Sequence, residues 1–125
     1  MAEHNKLGKW GELKAIEYLQ KKGYKILEHD WRYKHYDLDI IALTEDNILA
    51  IVEVRTRSED YLLAPEETVN RQKIISIMRA TAAYLRQTKA DQRIRFDIVA
   101  IVKKKDGTEI NHIEDAFYPI PNVRC

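Results

Sequence analysis

The stretch DLDIIALTEDNILAIVEVRTR carries Asp37, Asp39, Glu53 and Arg55 at the ends of runs that are otherwise apolar. Within each pair the residues stand two apart, and residues two apart on a strand point to the same side of a sheet. Two neighbouring acids repel, and a charge on a buried strand is costly unless it is paired or bound to a metal. These types at this spacing suit metal-dependent hydrolysis of a phosphodiester: one acid from a strand, one from the next strand, then a cation two positions on. Mg2+ takes oxygen ligands, binds one or two carboxylates and keeps several waters. It lowers the pKa of a bound water and neutralises charge on the scissile phosphate. A nearby Lys or Arg stabilises the charge that develops. Asp39 and Glu53 are the candidate ligands of Mg2+ or Mn2+, with Arg55 as the candidate cation. The blander alternatives are a turn in which Asp37 and Asp39 cap backbone amides, and a cross-strand salt bridge at Glu53 and Arg55.

A third acid comes from the first helix. Residues from about Asn5 to Lys22 place Leu7, Ala15, Ile16, Tyr18 and Leu19 at helical spacing, with Gly23 as the stop. Gly8, Glu12, Ala15, Ile16 and Leu19 share one face, so Glu12 points where a core belongs. It is a candidate to hold a second metal or a metal-bound water; otherwise it reaches solvent or an arginine. Gly8, one turn earlier, either admits another backbone or marks a frayed end.

The remaining elements must position these groups. Residues from about Tyr24 to Tyr33 and Tyr36 to Leu43 read as two strands, and ILAIVEVRTR as a third. The first five residues of ILAIVEVRTR are all apolar, as in a central strand covered on both faces. After the loop SEDYLLAPEETVN, Pro65, Glu66 and Glu67 suit the first turn of a second helix running to about Gln87. Its apolar stripe is Ile74, Ile77, Met78, Tyr84 and Leu85, and Lys73 on the stripe's flank is either aimed at the sheet or a surface lysine. RIRFDIVAIV is a fourth strand, Asp106-Gly107 a hairpin turn, EINHIEDAF a short edge strand, and YPIPNVRC an irregular tail. The expected fold is an α/β sandwich in the order α-β-β-β-α-β-β around a central mixed sheet flanked by helices.

The 125 residues, 45% hydrophobic and 33% charged, fit one domain over residues 1–125 with a real core, and do not indicate disorder. A net charge of +1 neither supports nor excludes a nucleic-acid partner, because the distribution of charge decides that. Basic candidates for phosphate contacts are Arg32, Lys34, Arg55, Arg57, Arg71, Lys73 and Lys103-Lys104-Lys105. Trp31 and Tyr33 alternate with Arg32 and Lys34 and offer stacking surfaces; the blander reading packs both rings on the core and leaves the lysine run as a solvated shoulder. Cys125 is the one cysteine, so no internal disulfide can form and a reducing compartment is suited. No long apolar run suggests a membrane span, and the polar start does not read as a signal peptide, so a cytoplasmic location is expected. His4, His29, His35 and His112 have no zinc spacing, and His29 and His35 read as surface residues.

LDIIALTEDNILAIVEVR resembles the signature of the PD-(D/E)XK nucleases. More fully, GKWGELKAIEYLQKKGYKIL, DLDIIAL, ILAIVEVRTRS, PEETVNRQKIISIMRATAAYL and RFDIVAI follow, in order, the pattern of the uncharacterised bacterial YraN-like family, relatives of the archaeal Holliday-junction resolvases. The resemblance implies a restriction endonuclease-like fold, with Glu12 as the helical acid, Asp39 as the motif aspartate and Glu53 as its second acid. Arg55 stands where the family's lysine normally does, and Asp37-Leu38-Asp39 replaces the usual Glu-Ile-Asp. Arginine keeps the charge but presents a planar fork and cannot be deprotonated near neutral pH, so Lys73 is the candidate substitute. The implied partner is DNA, in branched or damaged form, with RNA as an alternative. Two cuts need two sites, so a homodimer is expected on the resolvase analogy. Two other functions stay open: a nucleic-acid-binding module of the same fold with little or no catalysis, prompted by Arg55, and a protein-interaction scaffold, prompted by the near-neutral charge.

Overall fold

Gly23 turns the chain out of the first helix: its φ of +92° is open to glycine at little cost, and its N–H reaches the Gln20 carbonyl at 3.0 Å. In the computed structural model, which describes residues 2–60 and 69–118, this helix is α1 (Ala2–Lys21). There follow β1 (Lys25–Tyr33), β2 (Tyr36–Leu43), β3 (Ile48–Ser58), α2 (Arg71–Thr88), β4 (Arg93–Lys104) and β5 (Gly107–Ile113). This is the expected α/β order around a mixed sheet.

The strands lie in the order β1-β2-β3-β4-β5. Neighbours are antiparallel except β3 and β4, which run parallel from Ile48↔Arg93 to Ser58↔Lys103. A parallel pair needs a long crossover, and α2 lies within it. Two cores result. On one face Ala15 and Leu19 of α1 cover Ile40, Ala42, Ala50, Val52, Val99 and Ile101. On the other, Ile77, Ala80 and Tyr84 of α2 cover Leu38, Ile41, Leu49, Ile51 and Phe96. Alternate β3 residues therefore serve opposite cores, which accounts for the unbroken apolar run.

Two expectations about the second helix change. Pro65, Glu66 and Glu67 lie outside the described residues, but α2 starts at Arg71 and has no acid in its first turn. Asn70 is extended (φ −101°, ψ 178°) and its side-chain oxygen accepts the Lys73 N–H at 2.9 Å, so Asn70 is the cap. The last strand also begins earlier than expected, at Gly107, and β5 is an edge strand as expected. Most of the tail YPIPNVRC lies outside the described residues. Among the described residues no helix is long and apolar enough to cross a membrane.

Candidate active site

The β2–β3 ladder ends at Ile40↔Val52, and the next residue on each strand, Asp39 and Glu53, falls just beyond the last pair. There the strands part. Asp39 Oδ2 accepts the Val54 N–H at 2.8 Å, so its carboxylate takes over a backbone donor that the ladder no longer satisfies. That bond fixes the side chain on a rigid element. Glu53 is only 5% exposed, on the strand face opposite Val52.

Two cations approach the Glu53 carboxylate. Arg55 Nη2 lies 3.1 Å from Glu53 Oε2. Lys73 Nζ, arriving from the first turn of α2, lies 3.8 Å from the same oxygen and 3.9 Å from Asp37 Oδ1. Lys73 is thus not a free surface lysine but part of the cluster. The Asn70 cap helps to fix its backbone, which the sequence reading assigned to the middle of a longer helix.

Glu12 enters from α1. The close approach that admits it is at Gly11, not Gly8. A Cβ at Gly11 would overlap the Thr56 side chain, with Thr56 Cγ2 at 2.7 Å, whereas a Cβ at Gly8 meets nothing within 4 Å among the described residues. Glu12 Oε1 is buried and has no hydrogen-bond partner among the described residues. An open cleft of about 350 Å³ runs past Glu12, Asp39, Val54, Arg55 and Arg57, with Lys9 and Asp30 on its rim.

The electrostatics are unbalanced toward negative charge. Burial, followed by the charges of Asp39, Asp30 and Asp37, pushes the Glu12 carboxyl up to about 7. Burial and then the Asp39 charge push Glu53 up to about 8, against the opposing pull of Lys73 and Arg55, with a hydrogen bond to Asp39 adding to the rise. In both groups burial is the larger cause and the neighbouring acids add to it.

This donor set fits a hard divalent cation. Asp39 and Glu53 lie side by side, both are oxygen donors, and Glu12 lines the cleft together with Asp39. Among the described residues no group of three acidic, His or Cys side chains is placed to hold a metal ion, so an ion here would rest on Asp39 and Glu53 and keep several waters.

Comparison with known proteins agrees in its coverage. The model of the family described as "Uncharacterised protein family UPF0102" matches residues 11–101. The chain belongs to the UPF0102 family. A UPF0102 protein of Parabacteroides distasonis is 51% identical over 118 residues, covering 94% of this chain and 97% of that one. UPF0102 proteins of Bacteroides thetaiotaomicron and Flavobacterium psychrophilum are 46% and 48% identical, over 95% and 94% of this chain and 98% of each relative. The family match runs from Gly11 through Glu12, Asp39, Glu53, Arg55 and Lys73.

Not every residue picked from the sequence joins the UPF0102 cluster. Arg57 lines the cleft and donates to the Thr56 carbonyl at 2.8 Å. Arg32 is exposed 4.0 Å from Asp30, and Lys34 lies over the Tyr33 ring at 5.4 Å; neither lines the cleft. Arg71 is exposed at the start of α2. Trp31 packs edge-on against Tyr84 at 5.4 Å in the α2-side core, so it is not an open stacking platform. Lys103 sits over Trp10 and Lys104 pairs with Glu109 at 3.1 Å. His29 and His35 are exposed, as expected.

A second buried acid was not singled out in the sequence. Asp97 is fully buried and accepts from Arg95 Nε and Nη2 at 2.8 Å each, from the Asp115 N–H at 3.1 Å, and pairs with His112 Nε2 at 2.8 Å. Burial would raise its pKa, but the bonds from His112, Arg95 and Asp115 hold it below the ordinary value. Its signal was a lone acid inside RFDIVAIV, the same signal that drew attention to Asp39.

Proposed function

We propose that the chain is a metal-dependent nuclease that hydrolyses phosphodiester bonds in DNA, including branched or damaged forms. The observation that carries this reading is the placement of Glu53: a buried acid at the end of a central strand, beside Asp39, facing Lys73 and Arg55, and holding a proton near neutral pH unless another cation takes its place. A group built this way is costly to the fold and useful to a cation.

Asp39 and Glu53 would hold Mg2+ or Mn2+, with Glu12 oriented toward its water shell. When bound, the metal supplies an activated water and neutralises phosphate charge. The chain's own residues do the rest. The Val54 N–H holds the Asp39 carboxylate in place. Lys73, 3.8 Å from Glu53, stands in for the lysine whose motif position Arg55 occupies. Arg55 contributes fixed positive charge where negative charge develops on phosphate oxygens. Lys9 and Arg57, on the cleft wall, are placed to bind the backbone of the strand. RNA as a substrate and a homodimer with two such sites belong to the same proposal.

The test is a cleavage panel in Mg2+ and Mn2+ over single-stranded, double-stranded, flapped and four-way DNA, plus RNA, with Glu53→Ala and Asp39→Ala prepared alongside. Metal-dependent cutting by the natural sequence and by neither variant is expected. Equal cutting by all three would identify a contaminant. Salt-sensitive binding without cutting would favour a binding module over an enzyme, and Arg55→Lys would then ask whether the arginine is the reason.

A further inference from the structure

Beside the acidic cleft is a second hollow, of about 250 Å³, lined by Lys9, Glu12, Leu13, Ile16, His29 and Asp30. Lys9, Glu12 and Asp30 line both, so the two spaces adjoin. The second is different in character. Its wall is made by Leu13 and Ile16 of α1 and the His29 ring of β1. Leu13 is 61% exposed and belongs to neither core, while Ala15 and Leu19 on the same helix are fully buried. A single exposed leucine is ordinary; one that walls a hollow beside a cleft lined by Lys9, Arg55 and Arg57 invites a ligand with an apolar half and an anionic half.

We propose that this hollow holds one unpaired nucleobase of the strand whose backbone lies in the cleft, and that it selects substrates with an unpaired nucleotide next to the cut. The proposal rests on the nuclease reading and adds the local structure that the substrate must have. A base is a flat apolar body with a polar edge. Leu13, Ile16 and His29 offer the apolar and stacking surface, and Asp30 offers an acceptor for an exocyclic amino group, the pairing a carboxylate makes with cytosine. Asp30 takes φ 52° within β1 and lines both spaces. Lys9, which also lines both, fits the phosphate joining the held nucleotide to the next. A base stacked inside a duplex cannot enter such a hollow without leaving the stack, which costs least where it is already unpaired.

The experiment measures binding by anisotropy in Ca2+, with strand integrity checked afterwards, and cutting in Mg2+. The substrates are one duplex, the same duplex with a single-nucleotide bulge bearing A, C or T, and the same bulge without its base. The proteins are the natural chain and Leu13→Asp, an exposed-site change whose folding is checked by thermal melting. Expected is tighter binding of the A and C bulges than of the duplex and the abasic bulge, by about tenfold, a smaller gain for T, and loss of that preference in Leu13→Asp. Equal binding of base-bearing and abasic bulges, or a preference that survives in Leu13→Asp, would overturn the base-holding proposal while leaving the nuclease reading intact. A Leu13→Asp protein that sediments as a monomer where the natural chain is a dimer would reassign the hollow to contact between copies and also overturn it. Failure to bind or cut any member of the set would overturn the nuclease reading itself.

Discussion

Glu53 and Asp97 sit at nearly the same level of one sheet, since Asp97 pairs with Val52, the residue before Glu53. They are opposite cases of a buried acid. Asp97 has two bonds from Arg95, one from a backbone N–H and a histidine, and its pKa is held low. The histidine's other nitrogen lies 3.1 Å from Lys22 Nζ, and Glu114 closes the outer side on Arg95 at 3.4 Å. Every charge there has an answer. Around Glu53, the charge of Asp39 opposes those of Arg55 and Lys73, one oxygen of Glu12 beside Asp39 has no hydrogen-bond partner among the described residues, and burial followed by acidic neighbours pushes the two glutamates up to about 7 and about 8. The first cluster is complete as it stands and reads as a clamp between β4, β5 and the end of α1. The second keeps two glutamates whose protons are held to higher pH than usual. A buried acid by itself therefore says little; its unmet need for charge is what separates a site from a staple.

The contrast can be broken most forcefully at Asp97. Asp97→Ala leaves Arg95 inside the protein without its partner, and breaking a buried pair in this way costs roughly 3–5 kcal/mol. Urea unfolding should show a loss on that scale, with cleavage by the surviving folded fraction largely retained. Loss of cutting without loss of stability would mean that the clamp, too, serves the chemistry.

The next lever is Gly11, which brings Glu12 to the cluster. Gly11→Ala puts a methyl into Thr56, with the Thr56 Cβ at 2.8 Å, so α1 must lift away from β3. Overpacking of this kind costs about 1–3 kcal/mol. Gly8→Ala, with open space around it, should instead gain about 1 kcal/mol from helix propensity. Opposite signs in thermal or urea unfolding would confirm where the close approach lies; matching signs would put it elsewhere.

Titration sharpens the comparison. Glu12 and Glu53 keep their protons in the folded chain up to about 7 and about 8, against 4.5 ordinarily. Above pH 4.5 the unfolded chain releases those protons first, so it binds fewer and stability falls as pH rises. That contribution is whole below 4.5 and is lost as pH climbs through about 7 to about 8. Asp97 has the reverse sign: its stabilisation holds above the ordinary aspartate value and disappears as acid protonates it in the fold. In EDTA, stability should therefore decline between about pH 5 and about pH 9, and Glu53→Gln should flatten the decline, gaining on the order of 1 kcal/mol at the upper end. Mg2+ should restore more stability at high pH than at low pH, because it competes with the proton. A pH profile unchanged by Glu53→Gln would remove the electrostatic basis for the site.

Much of this was readable in advance because charge on an apolar run is expensive. That single consideration picked out Asp39, Glu53 and Glu12, while the flank of the helical stripe left Lys73 open between the sheet and the surface, and its contacts with Asp37 and Glu53 decide for the sheet. It did not pick out Asp97, although RFDIVAIV carries the same mark. The partner that settles its role, His112, lies on another strand and is brought alongside only by the β4–β5 ladder. Likewise a helical wheel ranks Gly8 and Gly11 by their neighbours on α1, while the deciding atom belongs to Thr56 on β3. The start of α2 went astray because Pro65, Glu66 and Glu67 have good first-turn chemistry, but Asn70 supplies the actual cap. Local pattern gave the elements; contacts across elements decided what the charges were for.

The smallest predicted effect is also the most discriminating, because it uses matched probes. Lys22 and Lys73 each serve a buried acidic cluster from its edge, and their side chains are 36% and 30% exposed. Removing either costs less than about 1 kcal/mol, since water screens half-exposed pairs. The difference lies in what is left behind. Without Lys22, Asp97 still has Arg95, His112 and the Asp115 N–H, so its proton affinity should barely move. Without Lys73, Glu53 loses one of the two cations that pull its pKa down, so it should hold its proton to still higher pH. Carboxyl carbon NMR shifts followed through a pH titration read both directly. A clear upward move for Glu53 in Lys73→Ala, beside a still Asp97 in Lys22→Ala, is what a saturated clamp and an unsaturated site require. Equal shifts in the two variants would mean that the clusters differ in degree only, and the case for a cation-seeking site at Glu53 would have to rest on metal binding alone.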